Sequence, residues 1–88
     1  MVERTLIVSN RAGIHARPAA MLVQAIKDFT CAIYLEKDRQ RIKGKSIMGV
    51  ITLGAAYGTP LKVITDGEDE QQAMEVIVQL FKSKFEEE

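Results

Sequence analysis

One cysteine, one histidine and two prolines leave this 88-residue sequence short of most chemically specialised side chains. Cys31, alone, can form neither an internal disulfide nor a zinc site, so the fold must rest on its core. Without a Cys/His cluster there is no support for metal-assisted hydrolysis, and a serine triad is equally unsupported. No apolar run approaches the roughly 18 residues of a membrane span. Met1-Val2-Glu3-Arg4 lacks the charged-then-apolar onset of a signal peptide. Neither sign of charge is in excess, with 12 Lys+Arg against 12 Asp+Glu, which argues against a nucleic-acid binder held by bulk positive charge. There is no low-complexity stretch and no internal repeat. The apolar content of 47% and charged content of 27% are those of an ordinary globular protein. The expectation is one domain over residues 1–88, soluble and cytoplasmic.

The neutral total hides an asymmetry. Residues 1–65 carry ten Lys/Arg against four acids, whereas residues 66–88 carry two lysines against eight acids. The acidic end reads as a solvated helix face and tail. The basic part can steer an acidic partner or a phosphate toward the chain.

Residues 2–8 are rich in β-branched side chains and read as a strand ending at Ser9-Asn10. Over residues 16–27, Ala16, Ala19, Leu22, Val23 and Ile26 recur at helical spacing, with Pro18 in the first turn, where its missing N–H is no loss. Residues 32–37 and 40–43 read as a hairpin turned by Asp38-Arg39, with a wet basic face. Ser46, the run Ile47-Met48-Gly49-Val50-Ile51-Thr52-Leu53 and then Gly54 predict a short helix with a serine N-cap and a glycine stop. Residues 61–65 read as a strand turned by Asp66-Gly67. Ala73, Val76, Ile77, Leu80, Phe81 and Lys84 mark a last amphipathic helix whose acidic start (Glu68, Asp69, Glu70) suits the helix dipole. The order β-α-β-β-α-β-α predicts an α+β protein, one sheet with helices packed on one side.

Chemistry concentrates at His15, in the junction between the first strand and the first helix. Gly13 permits a backbone bend that a Cβ would oppose. The amides of Ala16 and Arg17, with the helix dipole behind them, form an anion site, and Arg17 adds a guanidinium fork for phosphate oxygens. Imidazole is itself a nucleophile, so a histidine beside anion donors suits the receipt and release of a phosphoryl group. Gly44-Lys45-Ser46 imitates the end of a phosphate-binding P-loop. Position 39, where that motif needs its first glycine, is arginine. Ser46 reads as an N-cap and, with Lys43 and Lys45 nearby, also as a phosphorylation site. Ile47, Met48 and Ile51 divide between core and a soft docking patch. Cys31 reads as a small core residue.

Gly13-Ile14-His15-Ala16-Arg17-Pro18-Ala19 closely resembles the active-site signature of the HPr family, the histidine-containing phosphocarriers of the bacterial phosphotransferase system. Lys45-Ser46-Ile47-Met48-Gly49-Val50 resembles that family's regulatory serine segment. The likeness spans the chain, with Ile14 where leucine is usual and Ile51 where methionine or leucine is common. It implies an open-faced β-sandwich: a four-stranded antiparallel sheet in the order 1-4-2-3 with three helices on one face. It implies a carrier, not an enzyme, with no cofactor and no metal. His15 would accept a phosphoryl group through Nδ1 from phosphoenolpyruvate-charged enzyme I and pass it to a sugar-specific enzyme IIA. Arg17 would be the phosphate ligand, Ser46 the target of an HPr kinase/phosphorylase, and Ile47, Met48 and Ile51 the docking surface. A monomer without nucleic-acid or membrane partners is expected.

Two rival readings remain. One is an HPr-like regulator of a nitrogen-type or incomplete phosphotransferase system, acting through its phosphorylation state and partner binding. The other is a small RNA-binding module, which needs exposed strand aromatics, and of the five aromatics only Tyr34 falls on a strand.

Overall fold

The computed structural model describes residues 1–87. Its elements are β1 (Val2–Ile7), α1 (Ala16–Ile26), β2 (Ala32–Lys37), β3 (Gln40–Lys43), α2 (Ile47–Leu53), β4 (Pro60–Asp66) and α3 (Glu70–Lys82). The four strands form one antiparallel sheet in the order β1-β4-β2-β3, and the three helices cover one of its faces, as the resemblance implies. Strand alternation decides which side chains enter the core. Ile33 pairs with Thr65 and Leu35 with Val63, and all four are buried beneath the helices. Leu22 and Ile26 of α1, Val50 and Leu53 of α2, and Ile77 and Phe81 of α3 close over them. On the opposite face Glu36 lies between Arg41 and Lys62, and the Arg41 guanidinium sits 5.2 Å over the Tyr34 ring. That face is wet except at Ile64, which is buried with Glu3 and Tyr34 beside it in the ladder.

Element boundaries differ from the sequence reading by one or two residues. β1 ends at Ile7, because Val8 leaves the ladder to exchange hydrogen bonds with Thr59 and Gly58. β4 extends beyond residues 61–65 at both ends, since Pro60 and Asp66 still find partners in Ile7 and Ala32. α1 stops at Ile26, with Ala16 exposed and Val23 only half-buried. In α3 the buried stripe runs through Met74 and Val78 as well as Ala73, Ile77 and Phe81, so Val76 and Leu80 lie at its edge.

Asp69 has left its own helix. As the N-cap residue of α3 it makes no side-chain cap; its carboxylate accepts from the amides of Thr30 (2.8 Å) and Cys31 (2.9 Å), tying the α1–β2 loop to α3. Cys31 is buried in the core, as expected, and that burial, followed by the nearby Asp69 carboxylate, raises its thiol pKa.

Glu86 of the acidic tail is exposed, as expected, but Glu87 is folded back and largely covered, which corrects the sequence reading at that residue; Glu88 lies outside the described residues. After α3 the chain makes a tight turn over Lys84–Glu86 in which all three residues adopt positive φ (55°, 54° and 60°). Left-handed backbone costs about 1–2 kcal/mol per non-glycine residue. Phe85 offsets much of this. Its side chain is fully buried and meets Phe81 edge-on at 5.1 Å, and such burial plus aromatic pairing stabilises by about 2–4 kcal/mol. The turn directs residue 87 back toward the start of α1.

Candidate functional site

Residues 9–15 form a compact arch. Gly13 donates to the Asn10 carbonyl, Ile14 donates to Ala55 at 2.8 Å, and the His15 amide donates back to Gly13. Gly13 has φ +74°, and a Cβ there would lie 2.8 Å from the Ala55 carbonyl oxygen, so this position admits only glycine without rearrangement. Ile14 is buried and anchors the arch. His15 follows as the N-cap residue of α1 in extended conformation, and its ring caps none of the helix amides. The first helical bond runs from the Ala19 amide to the His15 carbonyl, which leaves the Ala16 and Arg17 amides ahead of the ladder and the nitrogen of Pro18 without a hydrogen. The His15 side chain is 44% exposed and that of Arg17 62%.

Two residues of this site were not identified as functional from sequence. Asn10 is buried, and its Nδ2 donates to the Gly13 carbonyl (2.7 Å) and to Glu87 Oε1 (3.0 Å). Two acceptors demand the NH2 end, which fixes the amide's orientation and leaves Oδ1 buried without a partner among the described residues. The second oxygen of Glu87, Oε2, lies 2.9 Å from His15 Nε2 and 3.7 Å from Arg17 Nη1. Asn10 first, and then His15 and Arg17, hold the Glu87 carboxyl below the usual carboxylate range against its partial burial. An asparagine at a strand end and a glutamate in an acidic tail carry no periodic or motif signal. Only the backward turn through Phe85 brings them together.

Ser46 caps α2 as expected: its Oγ accepts from the Gly49 amide at 3.1 Å, while Gly54, at φ +65°, ends the helix. Its hydroxyl lies at an exposed position. Lys45 is turned away, since its Nζ donates to the Phe29 carbonyl. The division of the α2 side chains is now resolved. Val50 and Leu53 are core, Met48 (66% exposed) and Ile47 are surface, and Ile51 is partly buried against the core. Ile47 shares a shallow apolar depression with Ala20, Met21 and Val23 of α1. Among the described residues no group of three His, Cys, Asp or Glu side chains could hold a metal, and no helix is long and apolar enough to cross a membrane.

Residues 2–83 match the family model described as the PTS HPr component phosphorylation site. The chain belongs to the HPr family. HPr proteins are phosphoryl carriers of the phosphotransferase system rather than enzymes, and so is this chain. It is 49% identical over 88 residues to the phosphocarrier protein HPr of Treponema pallidum, covering all of both chains. It is 44% identical over 78 residues to the HPr-like protein Crh of Halalkalibacterium halodurans, covering 89% of this chain and 93% of that one. The HPr crystal structure from Thermoanaerobacter tengcongensis superposes with a TM-score of 0.95 at 43% identity, covering 100% of this chain and 99% of that one.

Proposed function

We propose that residues 1–88 act as one HPr domain that accepts a phosphoryl group on His15 Nδ1 from phosphoenolpyruvate-charged enzyme I and delivers it to a sugar-specific enzyme IIA. One observation carries the reading: the chain's single imidazole is half-exposed at the N-terminus of α1, beside the guanidinium of Arg17. Arg17 and the amides of Ala16 and Arg17 would hold the phosphate oxygens there, with the dipole of α1 behind them. Ile47, Met48 and Ile51 form the patch on which partners dock. Ser46 is the regulatory site of an HPr kinase/phosphorylase, and the working state is a cytoplasmic monomer.

A second reading, a mainly regulatory HPr-like protein, draws on the exposed Ser46 and on the likeness to Crh. His15 favours the carrier, because a purely serine-regulated protein has no use for an exposed imidazole at a helix N-terminus. Incubation with phosphoenolpyruvate and enzyme I tests this. The wild type is expected to become labelled with an acid-labile, alkali-stable phosphate, as a P–N bond requires, and His15→Ala to remain unlabelled while folded. Labelling of His15→Ala, or an acid-stable phosphate on the wild type, overturns the assignment.

A further inference from the structure

Glu87 lies outside the helix that presents His15, yet its placement is built. A left-handed turn of three non-glycine residues is held by the fully buried Phe85. The Asn10 amide then fixes one carboxylate oxygen, so the other is aimed at the imidazole. Unusual backbone maintained at a chemical site points to a role for what it delivers. A carboxylate is acceptor-only when ionised, so Nε2 must be the donor in this contact. In a neutral imidazole a proton on Nε2 leaves the lone pair on Nδ1.

We infer that Glu87 is a positioning residue for phosphoryl transfer: its carboxylate holds the Nε2 proton of His15 and thereby keeps the lone pair on Nδ1, the nitrogen that attacks phosphorus. The inference rests on the proposed role of His15 as acceptor through Nδ1. In that step the Nδ1 lone pair forms a new N–P bond. The N–P bond of the donor's phosphohistidine breaks, and its electron pair stays on the donor nitrogen. The His15 ring becomes positively charged while Nε2–H remains hydrogen-bonded to Glu87, so no proton has to move. An ionised carboxylate 2.9 Å from Nε2 interacts more strongly with the ring as that charge develops than with the neutral ring, and this differential accelerates transfer. The Asp of a serine-protease triad serves its histidine by the same logic. Arg17, at the longer 3.7 Å, can turn to the arriving phosphate without releasing Glu87 from Asn10 and His15.

The test compares wild type with Glu87→Gln and Glu87→Ala as substrates of phosphoenolpyruvate-charged enzyme I across a range of carrier concentrations. Both variants keep Phe85, and thermal melts establish that they fold. The expected result is a kcat lowered about tenfold with KM within about twofold of wild type. Nitrogen-15 NMR of His15, at a pH where the ring is neutral, is expected to place the proton on Nε2 in wild type and to show a mixture of the Nε2–H and Nδ1–H tautomers in Glu87→Gln, whose amide can donate as well as accept. An unchanged or faster kcat, as a tail that merely blocked the site would give, overturns the inference; so does a raised KM at constant kcat. Wild type that fails to be labelled at all overturns instead the acceptor reading on which the inference rests.

Discussion

Around His15 each neighbour has a separable task, and single substitutions distinguish them. Gly13 shapes the arch, Ile14 anchors it, and Asn10 joins the arch to the tail through two hydrogen bonds from one amide. Asn10→Ala is therefore expected to lose about 1–3 kcal/mol of unfolding free energy, read from urea melts, because the Gly13 carbonyl and the Glu87 carboxylate each lose one of their donors, one of these bonds being buried and the other made to a charged group. Arg17 shares the Glu87 carboxylate oxygen with the imidazole, whereas Arg39 lies in the β2–β3 turn. Arg17→Ala should slow transfer from enzyme I well below the rate of Arg39→Ala, and equal rates in stopped transfer assays would show the phosphate clamp to be misassigned. At this scale the sequence was informative where a residue's own chemistry is distinctive. His15, Arg17 and Ser46 stand out by type and position, while Asn10 and Glu87 gain their roles only from what the fold places beside them.

The helices and strands were legible to within a residue or two because their signals are local. Ser46 and Gly54 bracket α2 by capping chemistry, and the ladder partners of β2 follow from alternation. Capping also predicts how Ser46 variants behave. Ser46→Ala removes the acceptor for the Gly49 amide and should cost about 1 kcal/mol, a melting decrease of roughly 4–8 °C in a domain this small, with near-normal transfer. Ser46→Asp keeps an acceptor and adds a charge that the helix dipole favours by about 0.3–1 kcal/mol. It should melt no earlier than wild type yet transfer more slowly, because the charge borders Ile47 and Met48. A Ser46→Asp protein with wild-type transfer would leave the serine only a cap. Asp69 was less legible, since its helix-start position suggested a dipole role and its carboxylate instead ties down the α1–β2 loop. The Thr30 amide lowers the Asp69 carboxyl below its ordinary value. Its contribution to stability is therefore complete above the unfolded-state value and is lost as pH falls from there through the lower folded value. Acid titration of unfolding should show a shallower loss below about pH 4 in Asp69→Asn than in wild type.

Over the whole molecule the least legible feature was the closing of the chain on itself. Phe85 stands four residues after Phe81, a spacing that by itself reads as continued helix, and the left-handed backbone at Lys84, Phe85 and Glu86 that replaces the helix has no residue-type signal. Phe85 nevertheless reaches the core beside Phe81, and the Glu87 carboxylate, which composition assigns to a solvated end, faces His15 and Arg17. Phe85→Ala should destabilise the fold by about 3–5 kcal/mol in denaturant melts and, by releasing Glu87, slow transfer as Glu87→Ala does. Stability loss without any change in transfer would separate the tail's packing from its role at His15. The central claim is that one nitrogen of His15 carries the phosphoryl group while the other keeps its proton on Glu87. The most direct measurement is phosphorus–nitrogen correlation NMR on nitrogen-15-labelled chain charged by phosphoenolpyruvate and enzyme I. The account predicts phosphorus coupled to Nδ1 of His15 and none on Nε2; coupling to Nε2, or phosphate on any other residue, would contradict it.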